Sequence, residues 1–146
     1  MSMSNASEAK LLNRLFNNTD WANVGDAAGL QNSAAAGSFY VALHTADPTD
    51  AGNQTTSEAS YTGYARVAVA RTGGGWTVSG NQVSNTATVQ FGECTAGSAT
   101  VTHFSVGLLA SGAGDILYSG ALSASRAVSA GITPLFNPAT LVGTVD

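Results

Sequence analysis

From Phe39 onward the chain is a series of short runs rich in Val, Thr, Tyr and Phe, separated every few residues by Gly, Asn, Asp or Pro. Branched and aromatic side chains suit a pleated, half-buried strand, and the separators suit tight turns. The predicted strands are Phe39–His44, Tyr64–Arg71, Trp76–Ser79, Gln82–Asn85, Thr86–Phe91, Thr100–Leu109, Asp115–Leu122, Ala127–Ser129 and Ala139–Val145. "TGGGW" at 72–76, "SGN" at 79–81 and "ASGAGD" at 110–115 are hairpin signals, because Gly and Asn tolerate the positive φ of tight β-turns. This many strands with short connections predicts an all-β fold, a single β-sandwich of jelly-roll-like arrangement.

Alternation assigns side chains to faces. In "FYVALH", Phe39, Val41 and Leu43 oppose Tyr40, Ala42 and His44; in "THFSVGLL", Phe104, Val106 and Leu108 oppose His103 and Ser105. Ala65, Val67 and Val69 share a face, and Ile116 and Tyr118 oppose Leu117 and Ser119. Both faces are moderately apolar, so one sheet face is expected to meet another subunit or a neighbouring protein.

One stretch is helical. In "SNASEAKLLNRLFNN", Asn5 is placed to cap and Glu8 follows three residues later, in capping-box position. Leu11, Leu12, Leu15 and Phe16 form an apolar stripe, with Lys10, Asn13 and Arg14 on the other side. Burying four such side chains contributes about 6–12 kcal/mol before entropy. The stripe covers either its own sandwich or a neighbouring subunit. Residues 20–38 are Gly/Ala-rich without period and form a long arm with a short turn around Asp26–Leu30; a connector of this length is often functional. The organisation is therefore an amphipathic helix and arm at 1–38, followed by a β-sandwich domain at 39–146. Leu11, Leu12, Arg14, Leu15, Phe16, Trp21 and Leu30 are the candidate partner contacts.

Charge is scarce: 10% of the 146 residues are Asp, Glu, Lys or Arg, against a usual share of about 25%. The surface must be largely Ser, Thr, Asn, Gly and Ala, which suits a protein whose surface is occupied by partners. With five basic residues, no cluster of them and a net charge of −4, nucleic acid is not an expected partner. No apolar run approaches the ~18 residues of a membrane span, and "MSMSNASEAK" lacks the form of a secretory signal, so synthesis in a cytosol is expected.

Catalytic and metal signatures are weak. Asp47, Asp50 and His44 stand around the turn "HTADPTDAG", but the spacing does not follow an EF-hand, and Asp-Pro is a turn starter. The two histidines, His44 and His103, lie in no zinc pattern, and the single Cys94 reads as a buried hydrophobe. There is no G-x-S-x-G elbow, "TGGGW" is no phosphate loop, and the few carboxylates form no glycosidase pair. No catalytic, cofactor-binding or metal residue is assigned, and no enzyme is expected. Tyr40, Tyr61, Tyr64, Trp76 and Tyr118 are candidates for a sugar-binding platform, alongside the plainer role of half-buried strand residues.

Several stretches fall into a familiar order: "EAKLLNRLF", "FYVALHTADPTDAG", "YTGYARVAVA", "VTHFSVGLLASGAGDILYSGAL" and "LVGTVD". Together they resemble a family of small tailed-bacteriophage virion structural proteins, over nearly the whole chain. The chain departs in its longer insertion at 20–38 and in "VTHFSVGLL" where members usually have "VTHFGIFD". The resemblance implies a structural role. The leading expectation is a capsid decoration (cement) protein on the capsid surface, bound to the major capsid protein as a homo-oligomeric dimer or trimer. The alternatives are a tail or tail-fibre component, and a carbohydrate- or receptor-binding β-module.

Overall fold

The computed structural model describes residues 2–25 and 28–145. Its elements are α1 (Asn5–Phe16), β1 (Ser38–His44), β2 (Val67–Ala70), β3 (Trp76–Ser79), β4 (Gln82–Asn85), β5 (Val89–Gln90), β6 (Ser98–Gly107), β7 (Ile116–Ser129), β8 (Leu135–Phe136) and β9 (Val142–Thr144). Among the described residues they form a four-stranded sheet in the order β2-β1-β6-β7, a three-stranded sheet β3-β4-β9 and a pair β5-β8. The pairings with a defined register are antiparallel. The fold is all-β and sandwich-like, as the strand pattern predicts. The chain divides into two compact units, one holding the residues as far as Ser38 with Ala70–Thr88 and the stretch from Asn137, the other Phe39–Val69 and Val89–Phe136.

In the first unit, α1 begins one residue earlier than expected. Ser4, in extended conformation, is the N-cap and its hydroxyl accepts from the Ser7 N–H, so Asn5 is already helical and Glu8 is outside the box position. Leu12 and Phe16 are buried, at 0% and 1% exposure. The Phe16 ring meets Trp76 edge-on with centroids 4.9 Å apart, and α1 packs on β3 and β4. Register explains this sheet's two faces. Trp76 pairs with Asn85 and Val78 with Val83 on the packed face, while Thr77, Ser79 and Gln82 point to solvent. Each of the two buried helix side chains contributes about 1.5–3 kcal/mol.

The helix leaves its last carbonyls without internal partners. Arg71 answers them: Nε donates to the Leu15 carbonyl, Nη2 to that of Arg14 at 3.0 Å, and Nη1 to that of Ala36 at 3.0 Å. One guanidinium thus caps the helix and fixes the end of the arm, with its charge at the negative end of the helix dipole. Burial, and then the neighbouring Arg14 charge, lower the Arg71 pKa from its ordinary value.

The arm is ordered where described, though it has no regular element. Trp21 and Leu30 exchange two backbone hydrogen bonds of 3.0 and 2.9 Å, forming an isolated antiparallel bridge. Asn18 binds both the N–H and the carbonyl of Ser33. Asp26 and Ala27, within the turn expected around Asp26–Leu30, lie outside the described residues.

A buried amide organises the C-terminal stretch. Asn85, 1% exposed, donates to the carbonyls of Ala87 and Asn137 and accepts from the N–H groups of Thr140 and Leu141. All four of its hydrogen-bonding positions are filled. Its bonds hold Ala87 and Asn137, Thr86 and Ala87 bend away from strand geometry, and the predicted strand Thr86–Phe91 shrinks to Val89–Gln90.

In the second unit β1 lies between β2 and β6, and Val41–His44 are buried on both faces. Gln54, fully buried, accepts from the Leu109 N–H. Gly107 and Gly114 are required there, because a Cβ on either would lie 2.3 Å from the Gln54 side chain. An aromatic series, Tyr61–Tyr64–Phe91–Phe136–Phe104, runs through this unit with successive centroids 5.4 to 6.2 Å apart. The predicted strands Asp115–Leu122 and Ala127–Ser129 are one continuous strand, β7. The strand β8, absent from the prediction, pairs with β5.

Replacing the capping cation should loosen the helix selectively. Arg71→Met removes three charge-assisted bonds and is expected to cost about 2–4 kcal/mol of stability. Denaturant unfolding followed by Trp fluorescence and far-UV circular dichroism measures it; Arg71→Lys should recover part of the loss.

Candidate functional site

Two polar side chains of "YTGYARVAVA", Tyr64 and Arg66, converge on Glu58. Arg66 grips its carboxylate in a two-pronged pair, Nε to Oε1 and Nη2 to Oε2, both at 2.7 Å. The Arg66 side chain is 2% exposed and that of Glu58 17%. Arg66 also donates to the carbonyls of Leu109 and Gly112, at 2.9 and 2.8 Å. Tyr64 donates its hydroxyl to Glu58 at 2.9 Å and accepts from the Leu43 N–H at 3.1 Å. Burial pushes the Tyr64 hydroxyl well above the ordinary phenol range, so it remains a donor. The bonds to Glu58 raise the Arg66 pKa further, so the guanidinium stays charged. Gly63 belongs to the same construction: its φ is +99°, and a Cβ there would lie 2.1 Å from the Glu93 carbonyl oxygen. Turning Tyr64 and Arg66 toward Glu58 explains why β2 starts only at Val67, not at Tyr64.

Beside this pair is an open cleft of about 400 Å³, lined by Ser60, Tyr61, Tyr64, Arg66, Ser111 and Gly112 among others. Every Arg66 nitrogen and both Glu58 oxygens are already bonded within the protein. The ion pair beside the cleft is thus saturated by internal bonds and offers few groups to hold a ligand. Three of the five candidate platform aromatics are engaged internally. Tyr61 is buried, Tyr64 stacks on Phe91, and Trp76 lies against Phe16 in the other unit.

His44 is the other polar centre. It is 0% exposed, as is Ser105, two residues along β6 from its register partner His103. Nδ1 lies 2.8 Å from the Thr56 carbonyl and Nε2 lies 2.8 Å from the Ser105 hydroxyl. A carbonyl only accepts, so Nδ1 carries the proton; the neutral ring then accepts the Ser105 O–H at Nε2. Burial lowers the His44 pKa below 6.5, the Arg66 and His103 charges add to this, and the Thr56 carbonyl and Glu58 oppose it. A serine donating to a histidine has the form of an activated nucleophile. Here both groups are sealed from solvent and act as a clamp between β1, β6 and the loop at 45–57.

That loop is a structured corner. Asp47 accepts from the Thr49 N–H at 2.9 Å, Asn53 accepts from that of Thr55 at 2.9 Å, and the Thr45 N–H reaches the Ser57 carbonyl at 2.8 Å. "HTADPTDAG" is therefore a turn set by Asp and Pro. Among the described residues no group of three or more His, Cys, Asp or Glu is placed to hold a metal ion. His103 bonds its neighbour Thr102. Cys94 is buried, with its thiol against the carbonyls of Ala96 and Gly97.

The candidate partner contacts separate into two groups. Leu12 and Phe16 are packed inside their own unit. Leu11, Leu15 and Trp21 are half-buried, and Arg14, also half-buried, bonds the Gln31 carbonyl and Asn18. Leu30 is the most open of them, at 43%. Gln54 and Asn85 were not singled out in the sequence; a buried amide leaves no spacing signature.

The stretches that carry the resemblance are occupied by internal bonds, and a family match supports the class they suggest, a structural protein of the tailed-phage virion. A family model described as "Podophage GP4 fiber I protein gp80" matches residues 2–144, and the chain belongs to that family. No curated protein matches the chain. Among the described residues no helix is long and apolar enough to cross a membrane.

The buried neutral imidazole makes stability pH-dependent. Its native pKa lies below the unfolded value near 6.5, so its contribution is complete above pH ~6.5 and declines as pH falls through the native pKa. The wild-type denaturation midpoint should therefore fall between pH 7.5 and pH 5.5 (~two units spanning the unfolded pKa) more steeply than that of His44→Gln. Parallel slopes for the two proteins would contradict this.

Proposed function

We propose that this chain is a structural component of a phage tail fibre, acting through contact surfaces and not through catalysis. The observation that carries this reading is the family match over residues 2–144, whose description names a fiber protein. Capsid decoration rests on the scarcity of charge and the helix-and-arm tether, features that suit a fibre subunit equally, so the fibre reading is preferred. The structure supports a scaffold role. The one salt bridge among the described residues, the Ser105–His44 pair and both buried amides are directed inward. A fibre subunit needs surfaces that meet copies of itself and its virion neighbours, and closed symmetry about a fibre axis is the expected arrangement. Leu30 and the half-buried Leu11 and Leu15 remain the candidates for such contacts.

Virions produced without this gene product test the assignment. The expected particles have DNA-filled heads as resistant to heat and chelation as the wild type, and lack a fibre. Fragile or empty heads with the fibres intact would overturn the fibre assignment and restore the decoration role.

A further inference from the structure

Strand β7 is the outer strand of the four-stranded sheet and runs for 14 residues, Ile116–Ser129. At about 3.4 Å per residue its edge would extend roughly 45 Å if straight. Its sequence, "ILYSGALSASRAVS", has Arg126 as its one charged residue and contains no proline. Outer strands of this length and neutrality are templates for another strand. Among the described residues, β6 alone pairs with β7, and Ser123–Ala127 are exposed.

The register shows what interrupts that edge. Between Val101 and His103, β6 advances two residues, while its partners on β7 run from Arg126 back to Ala121, five residues. Three extra residues are thus accommodated on β7, within Leu122–Ser125. A second shift follows, where Val106 and Gly107 face Tyr118 and Ile116. Extra residues bend a strand and increase its twist, so the edge is broken into a segment around Ile116–Ala121 and another around Arg126–Ser129.

We infer that the bulge within Leu122–Ser125 and the charge of Arg126 keep the outer edge of β7 from pairing with a second copy of this chain. A copy of the same chain is the occupant the edge would fit. An antiparallel pair of identical β7 strands has no like charges opposed in any register except the one that places Arg126 on Arg126. The device is independent of where in the virion the chain resides. It would keep copies from adding edge to edge without limit and leave assembly to other surfaces.

Deleting Ser123–Ser125 brings Arg126 next to Leu122 and restores continuous register with Val101–His103. Wild type, this deletion and Arg126→Ser are compared by sedimentation velocity at matched concentration, with circular dichroism to verify folding. The deletion should shift most of the protein to larger, concentration-dependent species, and Arg126→Ser should show a smaller shift in the same direction. Adding Ser119→Lys to the deletion should reverse its shift. Folded variants that sediment as the wild type does would overturn the inference. If the deletion fails to fold, Arg126→Ser decides the matter: greater self-association supports the closed edge, and none overturns it.

Discussion

Irregular backbone in a small β-protein must find hydrogen-bond partners outside the sheet ladders, and four side chains hold several such stretches here. Arg71 takes the helix-end carbonyls and the end of the arm, and Asn85 holds the stretch from Asn137 to Leu141. Arg66 holds the loop at Leu109–Gly112 against Glu58, and Gln54 meets the Leu109 N–H. Three of the chain's five basic residues, Arg14, Arg66 and Arg71, bond backbone carbonyls. The scarcity of charge at the surface is thus even greater than composition implies.

This placement accounts for what the family-like motifs are. "GYAR" is a device for reaching Glu58: glycine permits the close approach to the Glu93 carbonyl, and tyrosine and arginine fill the carboxylate. "YVALH" ends in the imidazole that joins β1 to Ser105 and to the Thr56 carbonyl. Each identifies the scaffold, and none presents a reactive group to solvent. The proposed fibre role instead uses surfaces rich in small neutral residues, where sequence patterns are least informative.

Legibility in the sequence followed how local each cause was. β3 and β4 were predicted to the residue, because their hairpin is set by adjacent glycines and alternating side chains. β8 was missed because Pro134 and Pro138 flank it and mark turns, while its pairing with β5 spans more than forty positions. β7 reads as two strands because Ser123–Arg126 looks like a connection; most of it belongs to the bulge within Leu122–Ser125, visible only once β6 is laid beside it. The predicted contact stripe on α1 was a true helical face. Which part of it is consumed internally depended on Trp76, a residue sixty positions beyond Phe16.

Cryo-electron microscopy of the intact virion, with this chain's density located and its copies counted, tests the fibre assignment most directly. The account predicts a small number of copies in a fibre joined to the tail, with the helix-and-arm unit resolved as part of each subunit. Density repeated across the icosahedral head would contradict it and identify the chain as a decoration protein.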